Sequence, residues 1–329
     1  HTLCETQTAR QVLARHLDKM TAAYGRVYLV NLLAQKGIEI PLKEGLEGAA
    51  IEYINGLNSA RAEGEGEGER DVVDADAVNR GVPIASKDGV FAFESFDFHH
   101  ECPKLDFTNL TSVLLPHLLP FLDTCGYMHG VVKDDQQGSS VVNERLEIGA
   151  LQHGVVRVNC LDSLDRTNVV QTLIGQWFVT ECVKMLYKRY SGTETGAFAD
   201  IPGLNRFAAF AKGDLDVLPH YLPRVFAAHR SLFAEHGDML SRQYTGTCAI
   251  KGDFARHGRR TKIGQTRDVF SSLSRFFLNN FSDGWRQDGY TLIVSRSPAP
   301  LASLGKESTL SQRLHVNAGM DIHPYIYID

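Results

Sequence analysis

Residues 154–189 read GVVRVNCLDSLDRTNVVQTLIGQWFVTECVKMLYKR. The first six, Gly154–Asn159, alternate and are rich in β-branched residues, which predicts a strand. From Thr167 to Arg189, Val170, Leu173, Ile174, Trp177, Phe178 and Leu186 recur at roughly helical spacing. That pattern predicts a helix, with Trp177 and Phe178 in the core. Between the two lies a short loop holding Cys160, five further residues, then Arg166 and Thr167. Strand, loop and helix in that order form the repeating unit of α/β proteins, and open α/β sheets bind ligands at the carboxyl ends of their strands. The expected fold is therefore α/β: a mixed, partly parallel sheet flanked by helices, with a Cys-x5-Arg phosphate loop between a strand and a helix.

The loop carries a coherent chemistry. A thiolate is the reactive form of cysteine, and a loop entering a helix N-terminus turns backbone N–H groups inward, where they stabilise a thiolate or bind a phosphate dianion. Arg166 can fork two phosphate oxygens, as a lysine cannot, and can steady charge in the transition state. The Thr167 hydroxyl can hydrogen-bond the sulfur as it leaves. A leaving alkoxide needs a proton donor, and Asp162 and Asp165 are both candidates. Either could instead orient Arg166 or bind backbone amides. With nucleophile and positive charge supplied by Cys160 and Arg166, no metal or cofactor is required. A bare Cys and Arg at this spacing has a plain reading too, a buried thiol and a surface guanidinium, and the spacing alone favours that plain one; the whole string from Val158 to Asn168 is what shifts the balance toward chemistry.

Working outward, residues 5–24 read as a helix, Arg26–Leu33 as a buried strand and 43–60 as a helix. The segment 61–70, RAEGEGEGER, is low in complexity, and 61–80 is expected to be a flexible acidic insertion. Residues 91–98, FAFESFDF, alternate aromatic and polar, predicting a strand that carries on toward His99 and His100. Those histidines, with Asp97, are expected to be hydrogen-bonded structural residues. Helices are expected at 107–125, 204–212, 223–240 and 265–280, loops at 135–143 and 191–204, and an extended tail beyond Ser295.

Net charge is −5 with a pI near 6.2, which argues against general nucleic-acid binding. Six widely spaced cysteines form no CxxC pair and suit a reducing compartment. No run of 18 apolar residues occurs, so membrane contact is expected to be peripheral. The start, HTLCETQTAR, reads as an internal piece of a longer chain. A basic run, Lys251, Arg256, His257, Arg259, Arg260 and Lys262, is either a solvated loop or a dock for anionic lipid headgroups.

The string NCLDSLDRTNVVQ at 159–171 resembles the signature of Sac-domain phosphoinositide phosphatases, the synaptojanin-like and Sac-type lipid phosphatases. Tyr24–Gly37 (YGRVYLVNLLAQKG), Phe96–Cys102 (FDFHHEC), Ser241–Phe254 (SRQYTGTCAIKGDF) and Asn279–Tyr290 (NNFSDGWRQDGY) are similar to further motifs of that family, in order. The resemblance implies a catalytic portion over residues 1–295 and a C-terminal extension over 296–329. It implies a cysteinyl-phosphate at Cys160, phosphate binding by Arg166, and acid or orienting roles for Asp162 and Asp165. Ser163, Leu164, Asn168, Lys251, Arg256 and Arg259 are the expected substrate contacts. The implied reaction is metal-independent hydrolysis of a phosphomonoester on a phosphoinositide at a cytoplasmic membrane face, with phosphatidylinositol 4-phosphate as first expectation. The resemblance also implies two departures: Ser163 occupies a position where the family commonly has a second cysteine, and the family's N-terminal subdomain is expected to be largely absent from this stretch. The rival readings are a protein phosphatase using the same loop chemistry, whose loops carry glycines that this one lacks, and a non-catalytic phosphoinositide-binding adaptor.

Overall fold

The computed structural model describes residues 7–65, 73–103, 106–134, 144–190 and 222–249, and the single residues 271 and 274. By contact these divide into two compact units, His1–Phe233 and Ala234–Asp329. The first holds the sheet. Helix α1 (Gln7–Tyr24) leads through Gly25 into strand β1 (Arg26–Asn31). Gly25 has φ +84, and a Cβ there would lie 2.9 Å from the His153 carbonyl oxygen, so both backbone angle and space require glycine. A 3-10 turn (Gly37–Glu39) opens helix α2 (Ile40–Glu65), followed by α3 (Ala75–Asn79), β2 (Ile84–Ala85), β3 (Phe91–Ser95) and a helical turn α4 (Phe98–Glu101). A π-type stretch (Leu110–Leu114) runs into α5 (Leu115–Cys125). A hairpin comes next, β4 (His129–Asp134) and β5 (Glu144–Ala150), then β6 (Gly154–Asn159) and α6 (Asp165–Tyr190).

The main sheet has the order β2-β3-β1-β6. β1 is parallel to both neighbours, pairing Asn31 with Ser95 on one side and with Asn159 on the other, while β2 is antiparallel to β3. This is the expected mixed α/β architecture. Because β1 is central and parallel, both of its faces are covered. Val27, Leu29, Phe91 and Phe93 pack with Leu17 of α1, Ala50 and Ile54 of α2, and Ala77 and Val78 of α3. Tyr28, Val30 and Ala92 face Leu118 and Leu122 of α5, Val170 and Trp177 of α6, and Cys160. Continuous apolar character along β1 is thus the signature of burial on both faces.

Several local expectations are corrected. The span 61–80 is not all loop: α2 continues to Glu65, and α3 forms at 75–79. The Asp74 carboxylate caps α3 by accepting from the Asp76 N–H, and Ala77 and Val78 supply core contacts that hold it. β3 ends at Ser95, and all five of its residues are buried, so the Phe/polar alternation did not mark a solvent face. His99 and His100 lie on the turn α4, not on a strand, and are exposed. Asp97 forces the change by capping α4, accepting from both the His99 and His100 N–H groups, which fulfils its expected structural role. Phe178 is 41 % exposed, whereas Trp177 is in the core. The sequence pattern carries no signal for the hairpin strands β4 and β5 that flank 135–143.

In the second unit, the described residues are helix α7 (Pro223–Thr245) from Ala234 onward, 246–249, Ser271 and Ser274; the Ala249 N–H donates to Asp238 Oδ1 at 3.0 Å. The expected helix at 204–212, the loop at 191–204, the basic run and the tail lie outside the described residues, as does 265–280 apart from Ser271 and Ser274.

Candidate active site

The carboxyl ends of β1, β3 and β6 lie side by side, and the segments that leave these strands build one site. Asn159 closes β6, and its Nδ2 donates to Asn31 Oδ1 at 3.1 Å, tying the ends of β6 and β1 together. Asn31 Oδ1 also accepts the Leu33 N–H, and Asn159 Oδ1 accepts from Arg157 Nη1 at 3.2 Å. The turn after β1 is therefore clamped against the residue immediately before Cys160.

Cys160 is 8 % exposed and sits on the α5/α6 face of the sheet. Its sulfur is surrounded by loop donors. The Ser163 N–H points at Sγ from 3.2 Å, and the Thr167 hydroxyl donates to it from 3.5 Å. The Cys160 thiol in turn donates to Asp162 Oδ1 at 3.2 Å. That oxygen also accepts the Leu164 N–H, at 3.1 Å, which tightens the loop. Ser163 reaches the sulfur because its backbone is left-handed, φ +52, a conformation that costs a non-glycine residue on the order of 1–2 kcal/mol. Strain of this kind persists where surrounding contacts over-determine the backbone, as Sγ and the two amide bonds do here.

Helix α6 starts at Asp165, its first hydrogen bond running from the Asn168 N–H to the Leu164 carbonyl. The opening N–H groups of a helix have no partner within it, and the dipole places partial positive charge there. Arg166 and Thr167 occupy this first turn. Arg166 does not extend into solvent. Its guanidinium forks Glu39, Nη1 to Oε2 and Nη2 to Oε1, each at 3.0 Å, and Nη1 also donates to the Leu32 carbonyl at 3.2 Å. The side chains are 14 % and 11 % exposed. Burial alone would push the Glu39 carboxyl up, yet Arg166, the Ala34 N–H and His99 hold it below the usual carboxylate range. Burial likewise opposes the Arg166 charge, but Glu39, Cys160 and Asp162 together hold its proton more tightly than usual.

The structure thus brings Cys160, Asp162, Ser163, Arg166 and Thr167 together around one sulfur and one turn of helix. Asp165 forms the first residue of α6. Leu164 is buried, and its backbone N–H takes part in the loop through Asp162 Oδ1. Asn168 donates from Nδ2 to the Phe233 carbonyl at 2.9 Å. Lys251, Arg256 and Arg259 lie outside the described residues. Sequence reasoning missed Glu39 and Asn31. The usable signal was topological: both close or come after a strand parallel to β6, so they had to emerge at the same sheet end as Cys160.

The family model for the SacI homology domain matches residues 2–103, which include β1, Glu39 and β3 but not the Cys160 loop. Curated relatives extend the similarity across that loop. Phosphatidylinositol-3-phosphatase SAC1 of Saccharomyces cerevisiae is 32% identical over 281 residues, 85% of this chain and 35% of that protein. Phosphoinositide phosphatase SAC6 of Arabidopsis thaliana is 30% identical over 306 residues, 91% of this chain and 40% of its own length. The Drosophila melanogaster phosphatidylinositol-3-phosphatase SAC1 is 36% identical over 204 residues, 62% of this chain and 28% of that protein. The chain therefore spans between about a quarter and two fifths of the length of these relatives.

Proposed function

The chain belongs to the Sac-domain phosphoinositide phosphatase family, and from that premise we propose that it hydrolyses a phosphomonoester on the inositol ring of a membrane phosphoinositide, with residues 1–295 forming the catalytic portion. The observation that carries the proposal is the environment of Cys160 Sγ. It sits at the end of a parallel strand, receives an N–H and a hydroxyl, and adjoins a helix N-terminus that bears an arginine.

In the first step the Cys160 thiol proton passes to Asp162 Oδ1, its hydrogen-bond partner, and Sγ forms a bond to phosphorus. The bond from phosphorus to the ring oxygen breaks, and the proton on Asp162 moves to that oxygen. Asp162 is preferred to Asp165 for this role because its oxygen already contacts the sulfur. In the second step water attacks phosphorus, gives a proton to Asp162, and the S–P bond breaks. Thr167 donates to the departing thiolate, and inorganic phosphate leaves. The helix N-terminus and Arg166 hold the phosphoryl oxygens in both steps.

Because the relatives are named for phosphoinositides, which are membrane lipids, the reaction is proposed to take place at a lipid surface; among the described residues no helix is long and apolar enough to cross a membrane. Phosphatidylinositol 4-phosphate is the first substrate to test, beside the 3-phosphate that the relatives' names specify. The decisive assay is phosphate release from a panel of short-chain phosphoinositides, with chelator present, by the wild type and Cys160→Ser. The expected outcome is release by wild type alone. Equal release by both proteins would reject the cysteine mechanism, and lipid binding without release would favour an adaptor.

A further inference from the structure

The fork between Arg166 and Glu39 does more than neutralise two charges. A guanidinium has five N–H groups in a fixed plane. Here both Nη1 hydrogens are committed, one to Glu39 Oε2 and one to the Leu32 carbonyl, and one Nη2 hydrogen goes to Glu39 Oε1. The remaining two, on Nε and Nη2, take no acceptor among the described residues. They lie parallel along one edge of the guanidinium, the geometry that receives two oxygens of a phosphate. Glu39 is itself held: its Oε2 accepts the Ala34 N–H at 2.8 Å, and it sits on a 3-10 turn whose leading residue, Gly37, has φ +82. Both partners are largely buried, so the fork is shielded from water and has one geometry rather than many.

We propose that Glu39 is a positioning residue for the phosphatase reaction: it binds the end of the Arg166 guanidinium and thereby presents the Nε/Nη2 edge to the transferring phosphoryl group. This rests on the proposed function of the Cys160 loop. Three anchors, Glu39 Oε1, Glu39 Oε2 and the Leu32 carbonyl, fix the plane and rotation of the guanidinium before substrate arrives. The transition state then meets an arginine that needs no reorganisation. A carboxylate in this place also limits how strongly Arg166 binds ground-state phosphate, so its effect belongs to turnover more than to substrate affinity.

The test uses Glu39→Gln, which keeps the shape but presents one acceptor oxygen and one amide donor, and Glu39→Asp, which keeps the charge but shortens the reach. With a soluble short-chain phosphoinositide, kcat is expected to fall by about 100-fold in Glu39→Gln, with KM changed less than about threefold. Glu39→Asp should recover part of the loss. In an Arg166→Lys background, which has no planar fork to position, Glu39→Gln should cost almost nothing further. Tungstate, a phosphate mimic, provides a readout independent of activity: its protection of Cys160 from alkylation should weaken in Glu39→Gln.

A fall in thermal stability with kcat unchanged in the folded protein would overturn the proposal, since Glu39 would then be structural only. A rise in both kcat and tungstate affinity would also overturn it, because Glu39 would then be competing with phosphate. A loss that is fully additive with Arg166→Lys has the same force. Should the wild type release no phosphate from any lipid, the proposed function fails. The tungstate comparison then still decides whether Glu39 sets the anion affinity of the loop.

Discussion

Thr167 illustrates how one hydroxyl can be read at the scale of a residue. It is buried in the first turn of α6 and directs Oγ1 to the sulfur. In the proposed reaction its hydrogen bond matters most when sulfur carries negative charge, as when thiolate leaves phosphorus in the second step. Thr167→Ala should therefore slow breakdown of the cysteinyl-phosphate by about tenfold, one hydrogen bond of roughly 1.4 kcal/mol, while leaving its formation nearly unchanged. Rapid-mixing assays should then show a burst of released alcohol ahead of phosphate. Equal slowing of both steps would reject this role. At this scale the sequence was informative about the loop, because Cys160, Asp162, Arg166 and Thr167 lie within eight consecutive positions. It was silent on Glu39, whose partner is 127 positions away. Nothing in the local pattern around Gly37–Glu39 distinguishes a carboxylate that meets an arginine from one that meets water.

At the scale of elements, a buried polar chain fastens three of them together. The Tyr28 hydroxyl of β1 donates to Glu94 Oε2 of β3 at 2.8 Å, and His117 Nδ1 of α5 meets Glu94 Oε1 at 2.7 Å. Burial pushes the Glu94 carboxyl above the usual range despite the opposing pull of His117 and Tyr28, and burial beside Glu94 raises the Tyr28 phenol. A carboxyl with a raised folded pKa contributes its full stability below its unfolded pKa, and loses it as pH rises through the folded value. Glu94→Gln removes that titration and keeps hydrogen-bonding groups facing both partners. Its stability relative to wild type should accordingly improve as pH is raised from about 4 to 8. Glu94→Ala should cost about 1–3 kcal/mol across the range, by leaving the Tyr28 hydroxyl unpaired. Urea midpoints at several pH values check both; a pH-independent gap between wild type and Glu94→Gln would refute the first. The helices around this chain were legible from periodicity, as α5 and α6 were. β3 was only half legible, since a buried Glu reads as a solvent-facing residue until its partners on other elements are known.

Over the whole first unit, the sheet separates two apolar layers with different duties. Leu118 and Ile54 are both fully buried, one on each side. Truncating either to alanine should cost about 2–5 kcal/mol. Only the Leu118 side contains Cys160 and Val170. Leu118→Ala should therefore also lower turnover well below its melting temperature, whereas Ile54→Ala should leave turnover of the folded protein intact. Loss of turnover in both would mean that the layers are not independent. The architecture itself was readable because alternating strand and helix patterns constrain topology strongly. The pairing of β1 with β6 was not, because no local pattern states which strand lies beside which. That pairing has a consequence for biosynthesis. A ribosome completes α1 to β3 before it has made β6, and Asn159 is 128 positions downstream of its partner Asn31. Until then one flank of β1 (Val27, Tyr28, Leu29, Val30) is an open, apolar edge, a template for any passing strand. A transcript or protease product that stops short of residue 154 would carry that edge permanently, and chaperone capture or aggregation, rather than mere inactivity, is its expected fate.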